Sequence, residues 1–125
     1  MAKEKNYNNY VEVVGNAAAI KTSEKTNEMR FNLATHHKYT RKNGEKAEET
    51  HFLRVLVRPG RKYASQESVK QGAFLRVIGH LEDNSYKAED GTYKGGMEIC
   101  ADKIVVLTKK EAEAAEEAAE ESEQA

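Results

Sequence analysis

Two stretches of the chain repeat a period-two alternation, and this pattern restricts the possible folds more than any other feature. In His51–Arg58 the aliphatic positions are Leu53, Val55 and Val57, and Ala73–Leu81 has the same spacing. Successive side chains of a strand point to opposite faces, so each stretch predicts a half-buried strand with one aliphatic face. The opposite faces mix aromatic, aliphatic and polar or cationic side chains, namely Phe52, Arg54, Leu56 and Arg58 in the first strand and Phe74, Arg76, Ile78 and His80 in the second. We expect the two strands to be neighbours that share this mixed face.

Three further segments have the composition of strands. Their residues are β-branched or alternate between apolar and polar types, as in half-buried sheets. These segments are Tyr10–Asn16, Met29–Tyr39 and Met97–Leu107. Together with the two alternating stretches they predict five strands.

Turn and helix signals connect the five strands. Asn43-Gly44 favours a tight turn between the second and third strands, and Asp90-Gly91 marks a polar hairpin before the last strand. Arg61–Gln71 has a helical composition, which predicts one short helix between the third and fourth strands. This order is that of an OB-fold, a five-stranded all-β barrel that binds oligonucleotides on one surface.

The charges of the chain are segregated along its length. The net charge is −1 overall, but residues 109–125 contain two Lys and seven Glu, which leaves residues 1–108 with 18 basic and 14 acidic residues. We therefore expect an N-terminal arm (residues 1–9), an OB-fold domain (residues 10–108) and a flexible acidic tail (residues 109–125). A basic domain suits a polyanionic partner if its charges share one face.

The mixed face has the chemistry that single-stranded nucleic acid requires. Aromatic rings stack on bases, at about 1–3 kcal/mol per base, while cations neutralise phosphates. The candidate nucleic-acid-binding residues are Tyr39, Arg41, Lys42, Phe52, Arg54, Arg58, Phe74, Arg76, Tyr86, Lys87, Tyr93 and Lys94. The alternative is that Phe52, Phe74 and Leu56 close the second side of the barrel or contact another subunit.

Patterns typical of catalytic and metal sites are not found in the sequence. The single Cys100 has no partner for an internal disulfide, and we expect it to be a small buried side chain. The four histidines have no metal-ligand spacing with Cys100, and no glycine-rich phosphate loop or paired carboxylates occur at an interpretable position. We expect neither an enzyme nor a cofactor or metal.

No stretch approaches the roughly 20 consecutive apolar residues of a membrane-spanning helix. The first residues also lack the apolar segment of a secretory signal. We therefore expect a cytoplasmic protein without a membrane partner.

Several short motifs resemble the bacterial single-stranded DNA-binding protein family. They are residues 13–16 (VVGN), 31–35 (FNLAT) with Tyr39, 50–55 (THFLRV), 79–81 (GHL), 90–91 (DG) and 98–102 (EICAD), with Gly72 before the fourth strand. The resemblance runs from about Tyr10 to Leu107. It implies stacking by Tyr39, Phe52 and Tyr86, where the family often has tryptophan, and a homotetramer or a dimer. It also implies an acidic tail that contacts replication or repair proteins, although this tail lacks the apolar end typical of the family.

The sequence therefore predicts a protein that binds single-stranded DNA with little sequence preference. Such a protein coats and protects single strands during DNA replication, recombination or repair, with Arg54, Arg58 and Arg76 neutralising phosphates. Two alternatives stay open. One is an RNA-binding OB-fold module, and the other is a protein-interaction module, such as a replication adaptor, that binds DNA weakly.

Overall fold

Seven strands occur in the part of the chain that the computed structural model describes, which is residues 8–111, 113 and 114. They are β1 (Val11–Thr22), β2 (Met29–Thr40), β3 (Lys46–Val57), β4 (Phe74–Asp83), β5 (Tyr86–Lys87), β6 (Tyr93–Lys94) and β7 (Met97–Val106), with a 3-10 helix at Gln66–Ser68 between β3 and β4. The strands β1-β2-β3-β7-β4 form a closed barrel, and β5 and β6 form a separate hairpin. The predicted five-stranded all-β barrel is confirmed.

The strand order shows that β3 and β4 are not neighbours. β7 lies between them, parallel to β3 at Val55 and Ile99 and antiparallel to β4. The expectation that the two alternating strands pair directly is therefore wrong. Alternation assigns each side chain to a face but carries no information about which strands share hydrogen bonds.

The inward faces of the strands form one apolar core, as the alternation predicts. The side chains with at most 1% exposure in this core include Phe31, Leu33, Val55, Val57, Leu75 and Val77. Burying each of these side chains contributes about 1.5–3 kcal/mol, so this face supplies the main stabilisation of the barrel.

The predicted helix at residues 61–71 is reduced to a single 3-10 turn. Ser65 caps it by accepting a hydrogen bond from the Glu67 amide. The Gln66 side chain donates to the carbonyls of Asn27 and Val57, so tertiary hydrogen bonds hold the segment in place of a longer helix. Ala64 and Val69 belong to the core cluster, so the segment packs against the core of the barrel.

β1 is longer than predicted and contains an irregularity. Its register on β2 shifts between Ala18 and Lys21, and Ala19 adopts a positive φ of 53°. A bulge of this kind bends the strand and allows pairing to continue beyond it. As a result, Lys21 is paired with Arg30 instead of lying in a loop.

Leu56 differs from its neighbours on the outward face of β3. It is 1% exposed, although the alternation places it with Phe52 and Arg54. Its register partners on the adjacent strands are Arg30 and Cys100, and it lies outside the core cluster. The outward face is therefore partly covered. Cys100 is itself buried, as the sequence predicts.

The predicted N-terminal arm and acidic tail lie largely outside the described residues, since residues 1–7, 112 and 115–125 are not described. Their boundaries and the flexibility of the tail stay predictions. At the start of the tail, the Thr108 hydroxyl accepts a hydrogen bond from the Glu111 amide and contacts the Glu111 carboxylate at 2.9 Å. Within the described residues, no helix has the length and apolar character needed to cross a bilayer.

The backbones of β1 and β2 approach each other closely at Gly15. A Cβ atom there would overlap the backbone carbonyl oxygen of Ala34. We expect Gly15→Ala to lower the free energy of unfolding by about 3 kcal/mol, because the backbone cannot yield without moving a barrel strand. Gly91→Ala is the control: its φ is +85° but its surroundings are open, so a cost of about 1 kcal/mol is expected. Urea denaturation measures the free energy of unfolding of both variants. Equal losses of this free energy would contradict the close packing at Gly15.

Candidate nucleic-acid interface

The outward surface of β2 and β3 carries an exposed aromatic ring beside cationic and amide groups. Phe52 is 65% exposed and is the register partner of Ala34, while Arg54 is the register partner of Asn32. We refer to the outward side chains of Asn32, Ala34, Phe52 and Arg54 as the Phe52 face. The structure thus brings two of the predicted residues, Phe52 and Arg54, together at an accessible surface.

A groove of about 380 Å³ adjoins the Phe52 face beside the paired end of β1 and start of β2. Its walls include Lys21, Arg30, Asn32 and Arg54, with Glu28 as the acidic member. The bulge in β1 supplies Lys21, since it returns the strand to register beside Arg30. The groove combines three cations with one carboxylate and an amide, which is a suitable lining for a phosphodiester and a base edge.

A buried carboxylate fixes the position of Arg30. Glu98 of β7 is 3% exposed and accepts hydrogen bonds from the Arg30 Nε (2.7 Å) and Nη2 (3.2 Å) and from the Asn84 amide (2.9 Å). The Arg54 Nε lies 4.0 Å from the same carboxylate. Burial alone would raise the pKa of Glu98, but the hydrogen bonds from Arg30 and Asn84 outweigh it and the pKa lies below its usual value. Glu98 is therefore ionised and holds Arg30 at the groove.

Arg58 lies among carboxylates at the other end of β3. Its guanidinium donates to Glu82 at 2.8 and 3.0 Å, and its Nε lies 3.6 Å from Glu28. The hydrogen bond from Arg58 lowers the pKa of Glu82 to about 2. The positive charge of Arg58 is thus largely compensated within the chain. Its predicted role as a phosphate ligand stays a prediction.

The β5–β6 hairpin carries four of the predicted residues. Tyr86 pairs with Lys94 and Lys87 with Tyr93, so each face of the hairpin presents one ring and one amine. The rings of Tyr86 and Tyr93 are 59% and 76% exposed. Because β3 and β7 are parallel, Phe52 is level with the residue preceding β7, where the hairpin joins the barrel. Phe52 and the hairpin therefore occupy the same end of the barrel.

Tyr39 lies on the side of the β2–β3 hairpin opposite to Phe52. The pairing of β2 and β3 contains no register shift, so odd-numbered Tyr39 shares the face of Phe31 and Leu33. Its ring stacks on His37 at 5.5 Å, and the Arg41 guanidinium lies 6.0 Å from the ring centre. Arg41 and Lys42 are exposed in the adjoining turn. These residues form a second, separate group at the tip of the hairpin.

Phe74 lies in the same cross-strand row as Phe52. It pairs with Asn16 of β1, which pairs with Ala34 of β2, the register partner of Phe52. Three strand spacings therefore separate Phe74 from Phe52, which is about 14 Å along the sheet. The Phe74 carbonyl accepts a hydrogen bond from the amide of Leu107, just beyond the end of β7. Arg76 lies 3.7 Å from Glu12 of β1. The structure therefore places both predicted aromatic residues, Phe52 and Phe74, on one outward face, while Arg76 has an acidic neighbour.

The sequence reasoning missed several residues of the groove and its support. Alternation assigns Arg30 and Asn32 to the polar face of β2, but only the pairing of β2 with β3 places them beside Arg54. The first predicted strand ends at Asn16, before Lys21, because the bulge that extends β1 has no signal in the sequence. Glu98 was part of a recognised motif, but its burial depends on contacts between three strands.

Comparison with known proteins agrees with this geometry. The family model described as the single-strand binding protein family matches residues 9–107. No curated protein matches the chain by sequence.

Solved structures share the barrel at low sequence identity. One is the Plasmodium falciparum SSB in complex with ssDNA, with a TM-score of 0.59, 18% identity, and coverage of 85% of this chain and 100% of that one. A small single-stranded DNA-binding protein from Streptomyces coelicolor has a TM-score of 0.58 and 21% identity, with 83% of this chain and 99% of that one covered. A deletion mutant of the Thermus aquaticus single-stranded DNA-binding protein has a TM-score of 0.61 and 18% identity, with 82% and 51% covered. The closed five-stranded barrel and the family match over residues 9–107 together show that the chain belongs to the single-strand binding protein family.

Proposed function

We propose that the chain coats and protects single-stranded DNA during replication, recombination or repair, using the Phe52 face and the adjoining groove. The observation that carries this proposal is the ring of Phe52, which is 65% exposed on a strand whose inward Val55 and Val57 are fully buried. An exposed phenyl group beside Arg54 has no packing role within the barrel. It offers a base a flat apolar surface next to a phosphate ligand.

The chemistry of the face accounts for sequence tolerance. A phenyl ring stacks on any base and forms no base-specific hydrogen bonds, so Phe52 contributes affinity without discrimination. Lys21, Arg30 and Arg54 surround the groove and neutralise the adjacent phosphates. The rings of Tyr86 and Tyr93 extend the stacking surface at the same end of the barrel. The Plasmodium falciparum relative was solved with ssDNA, which supports the same class of ligand here.

We also propose that the chain acts as a homo-oligomer, a tetramer or a dimer, in the cytoplasm, and that replication or repair proteins are its partners. The family membership supports the assembly, and so does the exposure of apolar residues at one end of the barrel. Leu81 and Met97 are 41% and 58% exposed there. Light scattering measures the assembly directly. The chain is proposed to be a binding protein without catalytic activity.

Titration of a labelled oligothymidine tests the proposed ligand. We expect tight binding that unlabelled duplex DNA and single-stranded RNA of equal length displace poorly. Fluorescence anisotropy at low salt measures the binding and both competitions. Equal displacement by RNA would favour an RNA-binding module, while no binding at low salt would favour a protein-interaction module.

Substitution of Phe52 tests the stacking surface. We expect Phe52→Ala to weaken oligothymidine binding about tenfold or more, because one base loses its stacking partner. Tyr63→Ala is the matched control, since Tyr63 is 64% exposed but lies outside the Phe52 face. The affinity of the Tyr63→Ala variant for oligothymidine should stay within about twofold of the wild-type affinity. Equal effects of both substitutions would refute a specific role for Phe52.

The salt dependence of binding distinguishes Arg54 of β3 from Arg58, which directly follows this strand. We expect Arg54→Gln to make the slope of log affinity against log salt shallower by about 0.7, which is one phosphate contact on a single strand. Arg58→Gln should change it less than half as much, since Glu82 already compensates that charge. The double variant Arg58→Gln/Glu82→Gln removes both charges and serves as the control. A larger change for Arg58→Gln than for Arg54→Gln would show that DNA displaces Glu82.

A further inference from the structure

The outward surface where β4 and β7 pair holds three potential metal ligands of different types. His80 and Cys100 are register partners, and Glu82 lies two residues along β4 on the same face. One ligand atom from each of these three residues lies within 4.8 Å of the other two. Linear spacing does not reveal this group, because pairing across strands brings His80 to Cys100.

The surroundings of His80 resemble those of a metal-bound histidine. Its Nδ1 is 2.9 Å from the Asp102 carboxylate, while its Nε2 is directed to Glu82 at 2.8 Å. Histidines that bind metals commonly donate their second ring N–H to a carboxylate, which fixes the ring and increases its basicity. Asp102 is placed to do this. His80 is 18% exposed and Glu82 22%, which gives an ion access to two of the three ligands, while Cys100 is buried.

A positive charge already occupies the space between these ligands. The Arg58 Nη1 lies 2.7 Å from the Cys100 Sγ and 3.0 Å from the Glu82 carboxylate. The same guanidinium lies beside Glu28, with its Nε 3.6 Å from that carboxylate. Arg58 is one-third exposed at its side chain. It can therefore move towards Glu28 while keeping a carboxylate partner.

We propose that His80, Glu82 and Cys100 form a zinc site in which Zn²⁺ exchanges with Arg58. The ligands are the Nε2 of His80, a carboxylate oxygen of Glu82 and the thiolate of Cys100, and a water completes the tetrahedron. When the metal binds, the thiol proton of Cys100 and the proton on the His80 Nε2 leave to solvent, and Arg58 moves towards Glu28. A set of imidazole, thiolate and carboxylate suits Zn²⁺, whereas Mg²⁺ and Ca²⁺ prefer oxygen ligands alone.

Cobalt binding to the full chain tests this site, because Co²⁺ substitutes for Zn²⁺ and reports thiolate ligation through a near-ultraviolet charge-transfer band. We expect chelator-treated wild-type protein to show this band with one equivalent of Co²⁺ and to lose it when Zn²⁺ is added. Mg²⁺ should not displace the Co²⁺. Absence of the band in both the wild type and Arg58→Ala would overturn the proposal.

Four substitutions identify the ligands and the competitor. Cys100→Ser should abolish the band, and His80→Gln should weaken Co²⁺ binding about tenfold or more. Asp102→Asn should weaken it about tenfold while keeping the band, as expected of a residue that orients a ligand. Arg58→Ala should tighten binding, since it removes the competing cation. A band that persists in Cys100→Ser would exclude thiolate ligation.

The control is His51→Ala, which removes a histidine paired with Glu49 on β3, away from the cluster. Its Co²⁺ affinity should equal that of the wild type, and an equal loss would indicate nonspecific histidine binding and overturn the site. Circular dichroism and thermal unfolding report whether each variant folds. If Cys100→Ser does not fold, His80→Gln and Asp102→Asn decide the outcome, and unchanged affinity in both would refute the proposal.

Discussion

Closure of the barrel is the constraint on which the other features depend. Each strand has two hydrogen-bonded neighbours, and β7 completes the ring by pairing with β3 on one side and β4 on the other. The inward side chains then fill the core, and every outward side chain lies on one continuous surface. Close packing of neighbouring strands also restricts which residues fit at two positions. A Cβ at Gly79 would overlap the carbonyl of Cys100, and a Cβ at Gly15 would overlap the carbonyl of Ala34.

Carboxylates on the outward surface compensate the charges of several arginines, including Arg30, Arg58 and Arg76. Glu98 is buried and needs Arg30, because an unpaired buried carboxylate costs several kcal/mol. Arg30 uses two of its five N–H groups on Glu98, and its Nη1 lies 3.9 Å from the Glu28 carboxylate. Arg58 is held more completely, by Glu82 and with Cys100 in contact. Arg54 is more exposed than Arg58, which is directed to groups of the protein.

Much of the fold was predictable because strands and turns are encoded by local patterns. The alternation in β3 and β4 assigns the core face correctly, and the Asn43-Gly44 turn joins β2 to β3 as expected. The site was less predictable, because it depends on which strands are adjacent. Phe74 carries the same pattern as Phe52 and shares its cross-strand row, but neither segment reveals that β1 and β2 lie between them. Leu56 is buried on an outward face, since its exposure is decided by side chains from two other strands.

The pairing of β1 with β4 also determines when the fold can form. Val11 pairs with Gly79 and Asn16 with Phe74, so β1 can complete its pairing only after these much later residues have been synthesised. Until then β1, β2 and β3 can form only an open meander, whose two unpaired edges are available to another chain. Contacts between such distant residues also form slowly, because the intervening chain must first be ordered. On the ribosome, the barrel can therefore close only after β7 has emerged, and two strand edges stay unpaired until then.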